Sequence, residues 1–159
     1  MAGDGCSHGS WGDPVKLIVT GKDRVAPWVA KKLFARFNAD EAIGLERDGE
    51  MIAGVVYEDW NGASFVVHIV VQGLMTPAYL GAIFHYPFVY CGASKLIAPV
   101  AESNEESVRF VRKLGFREEA RLHDAHPDGS VLLYTMSKDQ CRFIGERHGK
   151  RLAIATARA

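Results

Sequence analysis

The stretch SFVVHIVV (64–71) holds one titratable side chain, His68, in an otherwise apolar run. An imidazole with a pKa near neutrality can take a proton from an attacking nucleophile, directly or through one water. The same residue also fits a core histidine with a satisfied hydrogen bond. Glu58 and Asp59 close the preceding apolar run and would either share the base role or edge a substrate pocket. A second constellation is AESNEESVRFVRKLGF (101–116). Ser103 or Asn104 can cap a helix, Glu105 and Glu106 favour its dipole, and Gly115 suits the left-handed residue that ends it. Val108, Val111 and Leu114 give that helix a buried stripe and leave Arg109, Arg112 and Lys113 to water. Thr76-Pro77 opens another helix, a capping hydroxyl before proline at the first helical position. The amides of such a start attract anions. HDAHPDG (123–129) gathers two His and two Asp without metal-ligand spacing and reads as a polar hairpin loop. Cys6, Cys91 and Cys141 are far apart with no CxxC pair, which excludes a disulfide framework or zinc ribbon and fits a reducing compartment. Cys91 reads as a small buried hydrophobe.

Hydropathy patterning supplies the elements that must position these groups. VKLIVT (15–20) suits a strand between Pro14 and Gly21. DRVAPWVAKKLFARFN (23–38) spaces Val25, Val29, Leu33 and Phe37 four apart, an amphipathic helix with Asp23 as N-cap. Residues 42–73 read as a three-strand meander turning at Asp48-Gly49 and Asn61-Gly62. Its third strand, SFVVHIVV, is nearly continuous apolar, as a central strand covered on both faces would be. The helix from Pro77 ends or kinks at Pro87, SKLIAPVAE (94–102) is a strand, and the 104–114 helix follows. FREEARLHD and GSVLLYTM form two last strands, with a closing helix from Lys138. The order β-α-β-β-β-α-β-α-β-β predicts an α/β fold: a mixed central sheet with helices on both faces.

Composition narrows the function classes. With 159 residues, the chain is long enough for one domain burying roughly two-thirds of its unfolded surface. Nineteen basic residues balance nineteen acidic ones, so no global field favours nucleic acid or membrane. No apolar run reaches the roughly 20 residues that span a bilayer. Residues 1–13 read as a flexible leader without a signal-peptide core, 14–146 as one domain and 147–159 as a basic tail, all in a cytoplasmic setting.

Element order and the motif N-x-x-S-x-x-F-x-x-x-L-G-F, carried by Asn104, Ser107, Phe110, Leu114, Gly115 and Phe116, resemble the GNAT superfamily of N-acetyltransferases. The resemblance runs from about Val15 to Ile144, and LLYTMSKDQCRFI is similar to the end of short acetyltransferase-like proteins of bacteria and their phages. It implies acetyl-CoA as co-substrate, with Asn104, Ser107 and Phe110 beside the pantetheine arm. The strand amides of Val70 and Val71 would lie along the thioester, and Gly73, Leu74, Met75, Thr76 and Ala78 would meet the pyrophosphate. It further implies His68 as a base for the acceptor amine. Two departures stand out. The stretch VVQGLMTPAYLGA lacks the family's G-x-G, and Val111 occupies the position of the family's general-acid tyrosine. Tyr79 and Tyr134 are the substitutes the sequence offers. The expected activity is direct acyl transfer from acetyl-CoA to the amine of a small molecule or peptide. The competing classes are a CoA-binding or interaction protein without turnover, and a nucleic-acid-modifying protein using the basic tail. Trp28, Trp60 and FHYPFVY offer a homodimer surface.

Overall fold

The computed structural model describes residues 16–145, so the leader, Cys6 and the basic tail lie outside the described residues. Seven strands form one sheet in the order β1-β2-β3-β4-β5-β7-β6. In chain order these are β1 (Lys16–Thr20), β2 (Glu41–Arg47), β3 (Glu50–Glu58), β4 (Ser64–Val71), β5 (Lys95–Ala101), β6 (Arg117–His126) and β7 (Gly129–Ser137). Every neighbouring pair is antiparallel except β4 and β5, which the helical crossover makes parallel. Three helices, α1 (Lys22–Leu33), α2 (Pro77–His85) and α3 (Glu105–Leu114), cover the two faces as the pattern predicts.

The helix α1 lies over β2 and β3 because two glycines make room for it. Gly44 and Gly54 pair across those strands, and Val25 and Val29 pack there with no exposure. An ion pair from Arg24 to the buried Glu46 ties the helix to β2. The opposite face holds the larger core, with α2 and α3. There the Tyr57 hydroxyl donates to the Ile83 carbonyl, and that of Tyr79 donates to the Ile43 carbonyl at 2.9 Å. Phe84 stacks on Phe143 at 4.9 Å, so the chain after β7 is pulled into this core.

Several elements differ from their sequence expectations. The first helix ends at Leu33, four residues before Phe37, because Phe34 turns left-handed at φ 51°. Phe37 then leaves the helical stripe and lies against the His68 ring at 4.5 Å. Gly21 is its N-cap and Asp23 sits inside the first turn, where its charge still favours the dipole. Pro87 widens α2 into a π turn over Tyr86–Tyr90, since proline has no N–H to continue the regular ladder. The closing helix is a single 3-10 turn over Lys138–Gln140, because Cys141 and Phe143 are needed in the core.

The start of α3 matches its pattern. Asn104 Oδ1 accepts the Ser107 N–H at 3.1 Å, and Gly115 ends the helix at φ 106°. Asn104→Ala should therefore cost about 1 kcal/mol in urea unfolding, while Asn104→Asp retains most of that stability. Equal losses in the two variants would show that the cap contributes nothing.

Candidate active site

The strands β4 and β5 pair over three residues only, from Ser64 against Lys95 to Val66 against Ile97. Beyond that point they part, although β4 stays paired to β3 as far as Val71 and β5 to β7 as far as Ala101. The gap leaves the β5-facing amides and carbonyls of 67–71 without a strand partner. This explains why β4 is fourth of seven strands yet only half-buried from His68 to Val71. A side-by-side strand edge of this kind accepts an extended ligand by main-chain hydrogen bonds.

Two cavities occupy the gap and share Leu33, Ile69, Asn104 and Ser107 on their walls. The first, about 430 Å³, lies between the end of β4 and α3, where Val70, Val71 and Phe110 meet Arg109 and Lys113. Its polar side is therefore cationic, with Glu106 the one acidic group on the wall. The second, about 350 Å³, has both His68 and His126 on its wall.

His68 is positioned by two contacts, one of them through a carboxylate that is itself held. Its Nε2 lies 3.0 Å from Glu58 Oε2, and the other carboxylate oxygen accepts the Asn38 N–H at 2.7 Å. Phe37 covers one face of the ring. The carboxylate partner selects the Nε2–H tautomer and leaves Nδ1 as the basic lone pair. Burial lowers the imidazole pKa below 6.5, and Glu58 and Asp59 offset part of that shift. The ring is thus neutral at physiological pH and able to accept a proton.

No protein-family model matches this chain, and a search of curated proteins finds no match. Solved structures do match. Spermidine N-acetyltransferase SpeG from Vibrio cholerae, in complex with CoA and spermine, superposes with a TM-score of 0.58 at 19% identity over 76% of each chain. A mutant form of the same enzyme gives 0.61 at 14% identity, covering 86% of this chain and 99% of that one. A GNAT-family acetyltransferase from Bacillus anthracis gives 0.51 at 16% identity, covering 71% of this chain and 72% of that one.

The chain has the GNAT fold. In that fold the expected site residues divide into two groups. Val70, Val71, Asn104, Ser107 and Phe110 come together on one cavity wall, and His68 lines the adjoining cavity. Gly73, Leu74, Met75, Thr76 and Ala78 line neither cavity. The Thr76 hydroxyl is used internally, accepting the Tyr79 N–H at 3.1 Å.

The two tyrosines offered as proton donors are corrected by their contacts. Tyr79 is fully buried with its hydroxyl bonded to Ile43, and burial drives its pKa far above the ordinary value. Tyr134 is equally buried, and its hydroxyl accepts from Arg112 Nε at 2.9 Å. Arg112 is exposed as expected and also packs over that ring. Cys91 is half-buried rather than buried and bonds the Tyr86 hydroxyl.

Sequence reasoning missed three groups. Arg109 and Lys113 are exposed as the polar side of α3 predicts, and they also line the first cavity, which the pattern did not show. His126 looked like part of a polar loop, yet it lines the second cavity, and the Asp128 N–H donates to its Nδ1 at 3.1 Å. The only available signal was their spacing to Asn104 and to the end of β6.

Proposed function

We propose that this protein is an acyl-CoA-dependent N-acyltransferase that moves an acetyl group from acetyl-CoA to an amine by direct attack in a ternary complex. The observation that carries this reading is the parted β4–β5 gap, which joins a cationic cavity to a neutral imidazole held by a carboxylate. Chemical fit supports it. The free strand edge suits the amides of a pantetheine arm, and Arg109 and Lys113 suit its phosphates. These two cations offer charge where the α2 start, without its G-x-G, offers few donors.

The residues then act in sequence. His68 Nδ1 takes the proton of the amine, and Glu58 stabilises the imidazolium that forms. The nitrogen lone pair bonds to the acetyl carbon, the C–S bond breaks, and the thiolate takes a proton from solvent. Amides of 67–71 stabilise the carbonyl oxygen as it gains charge. No tyrosine among the described residues lines either cavity, so the chain contributes positioning and base catalysis more than acid catalysis.

Acetyl-CoA at 100 times its Kd should add about 2.7 kcal/mol of stability, read as a thermal shift. The Arg109→Ala, Lys113→Ala double variant should weaken binding about tenfold and flatten its salt dependence. An absent shift at millimolar acetyl-CoA would rule the transferase out. A shift without thiol release across an amine panel would favour the second reading, a CoA-binding protein, for which Val111 in the acid position speaks. Among the described residues no helix is long and apolar enough to cross a membrane. Tyr90 is 79% exposed next to the exposed Val89 and connects through Tyr86 and Phe65 to the exposed Trp60, which supports self-association through that aromatic row.

A further inference from the structure

The second cavity has an apolar wall that is left open to solvent. Leu33 at the end of α1 is 38% exposed, and Ala35 and Phe37 continue the wall along the following loop. Pro99 and Val131 line the same space. Exposed apolar side chains grouped along a cleft mark a surface that a ligand covers. No Asp or Glu among the described residues lines this cavity. The carboxylates beside its two histidines are Glu58, bonded to His68, Asp59, exposed just after β3, and Asp128, exposed and 3.9 Å from His126.

Charge complementarity limits what can sit there. Asp59 and Asp128 are exposed and stay hydrated, so the one carboxylate held against the wall is Glu58. That imidazole–carboxylate pair matches a single ammonium group. Further ammonium groups drawn along the wall would lose water and find no partner, a loss that opposes binding. An apolar body gains from covering Leu33 and Phe37. The Phe37 ring, tilted 30° over His68, also places an aromatic plane beside the base, where a second ring can pack edge-on or offset.

We propose, on the basis of the acyltransferase reading, that the acceptor is a primary amine on an aromatic body, an aryl-alkylamine in chemical class, and not a polyamine. The amine reaches His68 while its ring rests on the 33–37 wall.

Thiol release by the full chain with saturating acetyl-CoA, using 2-phenylethylamine and spermidine as acceptors, tests this. The expected kcat/KM favours 2-phenylethylamine by at least about tenfold. Leu33→Glu, at an exposed helix end where folding tolerates the change, places a carboxylate in the wall and should bring the ratio to unity or below. A preference for spermidine, or a ratio that Leu33→Glu leaves unmoved, overturns the assignment. Should acetyl-CoA bind while neither amine turns over, calorimetry on the protein–CoA complex decides. Tighter 2-phenylethylamine supports the assignment, and equal or tighter spermidine overturns it. A protein that acetyl-CoA does not stabilise fails the transferase reading instead, and the same comparison of amine binding to the free protein then decides the acceptor class.

Discussion

Replacing His68 with Gln should lower kcat for acetyl transfer by about 10²–10⁴-fold while acetyl-CoA binding stays within twofold. The imidazole lines the second cavity and not the cationic one, so on the proposed reading cofactor affinity is separate from proton abstraction. The pH profile gives the stricter test. Burial is the largest influence on this imidazole and lowers its pKa below 6.5, while Glu58 and Asp59 act in the opposite direction. Because only the neutral ring accepts a proton, kcat/KM should rise with pH through a value below 6.5 and lose that limb in His68→Gln. Glu58→Gln removes a carboxylate that favours the charged ring. The limb should then move to lower pH, and the plateau should fall because the weaker base abstracts less effectively. A plateau that drops while the limb stays in place would mean that Glu58 acts on folding alone. Unchanged kcat in His68→Gln would remove the base from the mechanism.

Gly54→Val should destabilise the fold by about 3 kcal/mol, the upper end for overpacking a tight core. A Cβ at this position would lie 2.6 Å from Val29 Cγ2, with Val25 and Trp28 also in contact. Val29 is a short, stiff side chain with no exposure, so it cannot swing aside. The backbone conformation itself tolerates a side chain, because φ at Gly54 is not in the left-handed region. The cost is therefore steric. Urea unfolding should show a lower midpoint at unchanged m-value. Adding Val29→Ala should recover part of the loss, a coupling expected only for residues in contact. The variant should also raise KM for the acceptor, since lifting α1 moves Leu33 away from the cleft. A cost below about 1 kcal/mol would mean that α1 is not seated on the glycine pair.

The elements were legible where a local rule determined them. Thr76-Pro77 and Asn104 cap their helices as read, Gly115 takes the left-handed turn, and Asp48-Gly49 joins β2 to β3. Legibility failed where tertiary packing outweighed local preference. Phe37 has helical spacing, but it packs on His68 once Phe34 turns the chain. The run after Lys138 could have been helical, but Phe143 gains more by stacking on Phe84.

The candidate site shows the same division. His68, Val70, Val71, Asn104, Ser107 and Phe110, chosen from their place in the motif and the element order, line the two cavities. The amides at the α2 start, chosen from the same element order, line neither cavity, and the two tyrosines were chosen by type. Tyr79 and Tyr134 have the right hydroxyl, but each is buried and already bonded.

The sequence by itself determined the order and type of the seven strands and three helices, and the starts of α2 and α3. Those are properties of neighbours along the chain: periodicity, caps and turn residues. Only the tertiary structure decided that β4 and β5 part after Val66, that Arg109 and Lys113 line the first cavity, and that His126 lines the same cavity as His68. A strand pair opens because of how the whole sheet twists and what packs on it. A polar helix face reads the same from sequence whether water or a cleft lies beyond it.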